Sequence, residues 1–205
     1  EGFYIAKTGR PGPVVIDLPK DVQNAVTTYK EIKVGNMVSY DPVKKPKLND
    51  IKQALDILLK AKKPIIYSGG GVVNSGVKAS TALTDLVNYT NIPITQTLMG
   101  LGAVAANNKN FLGMLGMHGT YEANMAMHDC DVMLCVGARF DDRITGNLKY
   151  FSPNSKKIHI DIDPSSINKN VKVDLAVIGD CYYILNMLMK ELKASKSKID
   201  KNSIG

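Results

Sequence analysis

Arginine is scarce in this chain, and its placement is uneven. Of 26 Lys and Arg residues only three are Arg: Arg10, Arg139 and Arg143. Two of them fall in Gly137-Ala138-Arg139-Phe140-Asp141-Asp142-Arg143, straight after the nearly all-apolar run Asp131-Val132-Met133-Leu134-Cys135-Val136. Lysine is a flexible point charge, whereas arginine is a planar donor fork that matches phosphate or carboxylate two-pronged. A chain that meets its other cationic needs with Lys and sets Arg here points to a grip on an anion. A solvated turn with local Arg–Asp pairing is the plainer alternative.

Four further motifs carry possible chemistry. Gly69-Gly70-Gly71 lets a backbone approach a ligand and present N–H groups, or is simply a flexible turn. Its spacing is not the Gly-x-Gly-x-x-Gly dinucleotide fingerprint. Leu115-Gly116-Met117-His118-Gly119-Thr120 leads into a helix, and helix N-termini favour anions. His118 there is a phosphate or ring contact or an ordinary loop histidine, and Met117 lines a pocket or fills core. His159-Ile160-Asp161-Ile162-Asp163-Pro164 ends on two acids. Asp163 reads as an N-cap before Pro, which leaves Asp161 as the better acceptor for ribose hydroxyls. Gly179-Asp180 either caps a helix or also touches a nucleoside. A Ser-His-Asp set, a phosphate-binding Gly-x-x-x-x-Gly-Lys loop and metal-ligand spacing are absent from the sequence, and His118, His128 and His159 are not spaced as ligands.

The elements that must hold these residues follow from hydrophobic periodicity. Ile51, Ala54, Leu55 and Leu58 keep helical spacing, with Asn49 or Asp50 as N-cap. Strands are expected over 64–68, 93–97, 131–136, 157–162 and 174–178, and helices over 77–89 and 121–128. A last helix capped by Asp180 carries Ile184, Leu185, Leu188 and Leu192 on one face. Between residues 100 and 119 a Gly-rich loop is expected. Near the start, Gly9-Arg10-Pro11-Gly12-Pro13 is a turn and Val14-Val15-Ile16-Asp17-Leu18 a buried strand ending at Pro19. Apolar strands alternating with helices imply an α/β fold, a doubly wound parallel sheet with helices on both faces. The motifs then collect at strand C-termini, where open α/β sheets bind ligands.

The bulk properties exclude little and fit this. A chain of 205 residues with 44% hydrophobic and 22% charged residues suits one domain, or one domain plus a fragment of another. The net charge of +7 comes from scattered Lys without interleaved aromatics, so no nucleic-acid partner is expected. No window is long and apolar enough for a membrane span. The start lacks signal-peptide features; it also lacks an initiator Met, which suggests a piece of a longer polypeptide. Three Cys without Cys-x-x-Cys spacing argue against a disulfide framework or zinc site and for a reducing, cytoplasmic compartment.

With these motifs in view, the chain resembles the catalytic large subunits of acetohydroxyacid (acetolactate) synthase, a thiamine-diphosphate enzyme family of which it looks like the bacterial biosynthetic type. Gly9-Arg10-Pro11-Gly12-Pro13-Val14 and Asp17-Leu18-Pro19-Lys20-Asp21 are similar to the end of that family's pyrimidine-binding domain. Leu115 to Gly119, the segment from Gly137 to Arg143, Thr145-Gly146 and His159 to Pro164 are similar to its central domain. The resemblance implies residues 1–20 as the end of the first domain, 21–47 as a connection, 48–192 as the central FAD-binding domain and 193–205 as a tail. It implies a reaction that joins two 2-ketoacids with loss of CO2, using thiamine diphosphate, Mg2+ and a largely structural FAD. It implies FAD contacts from Arg10, Gly69, Gly70, Gly71, Thr97, Leu98, His118, Gly119, Gly137, Arg139, Asp161, Ile162 and Asp180. Arg143 would meet the substrate carboxylate, and Lys20, Met117 and Asp142 would line the substrate channel.

The same resemblance implies a homodimer or homotetramer of catalytic subunits and a separate regulatory small subunit. It places the family's catalytic Glu upstream of Glu1 and its Gly-Asp-Gly…Asn motif for Mg2+ and diphosphate downstream of Gly205. The chain alone is therefore expected to be inactive. Two alternatives stand beside it: another thiamine-diphosphate carboligase of the glyoxylate carboligase kind, and a non-catalytic nucleotide-binding module.

Overall fold

The computed structural model describes residues 1–31, 37, 39–42 and 45–195. Part of the expected connection, and the expected tail from residue 196, lie outside the described residues. The chain divides into two compact units, Glu1–Pro42 and Val43–Gly205.

The first unit holds helices α1 (Gly2–Lys7) and α2 (Lys20–Asn24), so the stretch read as an irregular connection begins with a short helix. Tyr4 and Tyr40 pack edge to face, and the Tyr40 hydroxyl donates to the Thr8 carbonyl at 2.8 Å. The expected buried strand over 14–18 is not formed. Val15 and Ile16 are 92% and 67% exposed, and the run has no ladder. Its β-branched residues favour extended backbone, but a strand also needs a neighbour to share hydrogen bonds, and the described residues of this unit supply none.

The second unit runs α3 (Leu48–Leu59), β1 (Pro64–Ser68), α4 (Gly70–Asn74), α5 (Val77–Thr90), β2 (Ile94–Gln96), β3 (Phe111–Met114), α6 (Tyr121–Asp129), β4 (Val132–Val136), α7 (Asp142–Thr145), β5 (Lys156–Asp161), β6 (Leu175–Ile178) and α8 (Cys181–Ala194). α3 buries Ile51, Ala54, Leu55 and Leu58 as their spacing requires. It starts earlier than expected, with Lys47 at the N-cap position and no side-chain cap. Asp50 sits instead in the first turn, where a negative charge favours the N-terminal end of the helix dipole.

All six strands are parallel, in the order β3-β2-β1-β4-β5-β6. Ile66, Leu134, Val136, Ile158, Ile160 and Val177 face α3, α5 and α8. Ile65, Tyr67, Met133 and Cys135 face the opposite way, toward Met127 of α6 and Ile144 of α7. Helices thus cover both faces, and the fully buried β1 and β4 are the apolar runs that such a sheet requires. The expected Gly-rich loop contains β3. Gly113 with φ +95° and a half-exposed sheet edge explain why that strand carries so weak a hydrophobic signal.

The strand order reverses between β1 and β4, and there two backbones touch. A Cβ at Gly71 would lie 2.7 Å from Gly137 Cα; one at Gly137 would lie 2.8 Å from Gly71 Cα and 3.0 Å from the Cys181 sulfur. Gly137 also has φ +58°, a left-handed conformation that L-residues adopt at a cost. We therefore predict that Gly137→Ala lowers unfolding free energy by about 2–3 kcal/mol in urea titrations; a loss within error of zero contradicts this packing. Cys130, Cys135 and Cys181 are all buried. Burial pushes each thiol up, Cys181 to about 12. Aromatic disulfide reagents at mildly alkaline pH should modify none of them until the protein is unfolded, and rapid labelling of the native protein would contradict it.

Candidate functional site

Because the strands are all parallel, their C-terminal ends share one edge of the sheet. β1 runs into Gly69–Gly71, β2 into Thr97 and Leu98, and β3 into Leu115 to Gly119. β4 leads to Gly137 and Arg143, β5 ends on Asp161 before Ile162, and β6 on Gly179-Asp180. The anion-gripping and acidic residues of the second unit are therefore gathered by topology. Arg10 and Lys20 belong to the first unit, where both are exposed.

The triple glycine works mainly through its lack of side chains. Gly69 N–H donates to the Val136 carbonyl at 3.0 Å and Gly71 N–H to Gly137 at 2.9 Å. Two of the three amides read from the sequence as ligand donors are thus engaged within the protein. Gly70 opens α4 and lies against Met99. The turn Leu98–Gly100 is capped by Thr97, whose hydroxyl accepts from Gly100 N–H at 3.0 Å.

The loop before α6 is clipped by a residue that sequence reasoning passed over. Asn124 accepts from Gly116 N–H and donates to the Gly116 and Thr120 carbonyls, at 3.1, 3.1 and 2.9 Å. The sequence signal is an Asn one turn into a helix, a residue that competes for backbone hydrogen bonds. Thr120 caps α6 through its hydroxyl. Met117 N–H donates to the Arg143 carbonyl at 3.2 Å, so this loop and the arginine segment are joined. Met117 is 63% exposed and His118 is also exposed.

In the arginine segment, Phe140 is the anchor. It is buried against Tyr67, Phe151 and His159, with ring centroids 6.0, 5.9 and 5.1 Å away. On either side of it the chain turns outward. Arg139 pairs with Asp141 at 2.7 Å, each side chain about half exposed. Such a pair contributes on the order of 0–1 kcal/mol, so an anionic ligand can recruit the guanidinium. Asp142 accepts from Arg143 N–H at 2.9 Å. Arg143 is exposed.

The acids are partly committed. Asp161 is 7% exposed and accepts from Asp163 N–H at 2.9 Å. Asp163 caps the turn Pro164–Ser166, as its place before Pro predicts. Asp180 caps α8 by accepting from Tyr182 N–H at 2.9 Å and from the Ser75 hydroxyl at 2.8 Å.

The opposite edge of the sheet is closed on itself. Asp131 accepts from the Lys62 and Lys63 amides at 2.7 and 2.8 Å, and Asp174 from the Lys157 amide at 2.8 Å. The buried Lys157 ammonium donates to the Ser152 and Ser155 carbonyls. Within the described residues of the second unit, the carboxyl edge combines exposed arginines with exposed apolar side chains, Leu98 at 69%, Met99 at 75% and Met117 at 63%. Guanidinium, carboxylates and apolar surface on one edge are groups that suit an anionic ligand carrying hydroxyls and a flat ring, as a dinucleotide does. Among the described residues no group of three or more His, Cys, Asp or Glu could hold a metal ion, and no helix is long and apolar enough to cross a membrane.

Comparison with known proteins gives the family. The family model described as thiamine pyrophosphate enzyme, central domain, matches residues 51–188. The acetolactate synthase large subunit of Buchnera aphidicola from Schizaphis graminum is 50% identical over 198 residues, covering 96% of this chain and 34% of that protein. That of Haemophilus influenzae is 47% identical over 207 residues, covering 99% and 36%. The isozyme 3 large subunit of Escherichia coli K12 is 46% identical over 194 residues, covering 94% and 33%. The chain thus spans about a third of the length of these relatives. A six-stranded parallel sheet with its landmarks along one edge, matched across most of its length by the family model, makes this chain a member of the thiamine pyrophosphate enzymes, bearing their central domain.

Proposed function

We propose that the chain is the central, FAD-binding part of an acetolactate synthase large subunit, which condenses two 2-ketoacids with loss of CO2 in branched-chain amino-acid synthesis. The observation that carries this reading is the joining of the Met117 loop to the Arg143 segment at the edge where Arg139 is exposed. Large-subunit relatives at close to half identity over nearly the whole chain support it.

In this reading Arg139 meets the FAD pyrophosphate as a two-pronged donor. The carboxylates of Asp161 and Asp180, with the backbone around Ile162, face its hydroxyl groups. Gly69, Gly70, Gly71 and Gly137 keep the floor low enough for the cofactor to approach, and Thr97, Leu98, His118 and Gly119 flank it. Arg143 takes the carboxylate of the incoming ketoacid, and Met117 and Asp142 line its approach. Thiamine diphosphate with Mg2+, held by other parts of the full-length protein, supplies the carbanion chemistry. What these residues contribute is orientation of the acceptor and exclusion of water from it. The reading extends to a cytoplasmic assembly of two or four catalytic subunits with a regulatory small subunit.

Titrating the chain with FAD, ADP and NAD, followed by flavin fluorescence and calorimetry, should show preference for FAD. Arg139→Ala should weaken FAD about tenfold or more, the loss expected for a charge-assisted contact. Equal affinity for all three ligands would favour a generic nucleotide module instead. In the full-length enzyme, Arg143→Ala should lower kcat/KM for 2-ketoacid by about a hundredfold while leaving flavin content unchanged; unaltered kcat/KM would remove Arg143 from the substrate site.

A further inference from the structure

Between the end of β4 and the start of α7, the backbone of Ala138, Arg139 and Phe140 forms no ladder, so its carbonyls must find other partners. Each finds a side chain. The Ala138 carbonyl accepts from the Cys135 thiol at 3.1 Å and from His159 Nε2 at 2.8 Å. The Arg139 carbonyl accepts from the Tyr67 hydroxyl at 3.1 Å, and the Phe140 carbonyl from Asn170 Nδ2 at 2.7 Å.

Three of these donors form one lateral row. The sheet register sets Tyr67 of β1 opposite Cys135 of β4, and Cys135 opposite His159 of β5. All three are 0% exposed. Burial pushes the Tyr67 phenol and the Cys135 thiol up, so both keep the proton they donate. It pushes the His159 imidazole down, against the opposing pull of the Ala138 carbonyl and the Asp161 carboxylate. A carbonyl can only accept, so the neutral ring carries its proton on Nε2. Nδ1 is then a buried lone pair without a hydrogen-bond partner among the described residues. A wholly apolar residue at 159 would fill this space with less polar cost, and would leave Ala138 to the weak thiol donor alone.

We propose that Tyr67, Cys135 and His159 are positioning residues: a three-strand row of donors that sets the course of residues 138–140 and thereby aims Arg139 outward from the carboxyl edge. His159 is the strongest member of the row. The inference rests on the proposed function only in reading Arg139 as the grip on the flavin pyrophosphate.

The test compares His159→Gln, which keeps a donor near the Nε2 position, with His159→Leu, which removes it. A first arm needs no ligand. Nitrogen-15 spectra of the chain at neutral pH should show His159 as the Nε2–H tautomer. Amide exchange at residues 139–143 should accelerate about tenfold in the leucine variant, stay within about threefold of wild type in the glutamine variant, and be unchanged at Leu134 and Val136 in both. An Nδ1–H tautomer, equal exchange in the two variants, or loosening spread evenly through β4 would overturn the row. If His159→Leu does not fold, Tyr67→Phe removes a single hydroxyl and should accelerate exchange in the same segment; an unaltered rate there is equally damaging. A second arm measures FAD affinity, expected to fall about tenfold in the leucine variant and to recover in the glutamine variant. Wild-type chain that binds no FAD would sink the flavin reading while the first arm still decides the row. FAD binding that is equal in all variants would show that the row does not aim Arg139 at the flavin.

Discussion

The contact between Gly71 and Gly137 is the constraint from which the carboxyl edge is built. The sheet changes direction between β1 and β4, and the chain leaving each strand must turn within the space the other needs. With no Cβ on either residue the backbones come within hydrogen-bond distance, Gly71 N–H to Gly137 carbonyl at 2.9 Å. Any side chain there would push apart the two strands whose ends frame the proposed site.

Above that contact the edge is held by side chains reaching to backbone, and the groups left outward are those suited to ligands. Asn124 clips one loop and Asn170 the end of another; Tyr67, Cys135 and His159 secure the segment between them. Phe140 is buried so that its neighbours Arg139 and Asp141 need not be. The alternation of buried anchor and exposed charge is visible in the residue order Arg-Phe-Asp-Asp-Arg, and its physical sense emerges only with the fold. Local Arg–Asp pairing, the plainer sequence reading, is present too. It is an exposed pair, too weak to compete with a phosphate brought to the same place.

Much of the fold was legible because burial on both faces leaves an unmistakable imprint. β1 and β4 are apolar throughout, α3 and α8 keep a helical stripe, and Asp163 and Asp180 cap where their positions suggest. The losses were where a single segment does not contain the cause. β3 lies on an edge and is interrupted by Gly113, so its pattern is faint. Residues 14–18 carry strand propensity without a strand partner among the described residues. The triple glycine reads in the sequence as an approach to a ligand or a flexible turn, whereas its close neighbour is a second backbone far along the chain. The donor row was invisible because it depends on register among three strands, which no local window encodes. Asn124 and Asn170 are polar residues in ordinary sequence surroundings whose acceptors are fixed by the turns they hold.

The central claim is that flavin lies along the carboxyl edge of this sheet. Mapping amide chemical shifts of the isotopically labelled chain as FAD is added addresses it directly. The account predicts shifts concentrated in residues 69–71, 97–101, 116–119, 137–143, 161–162 and 179–180, with those near Lys62, Asp131 and Asp174 at the other edge unmoved. Shifts centred on that second group, with the arginine segment silent, would contradict it.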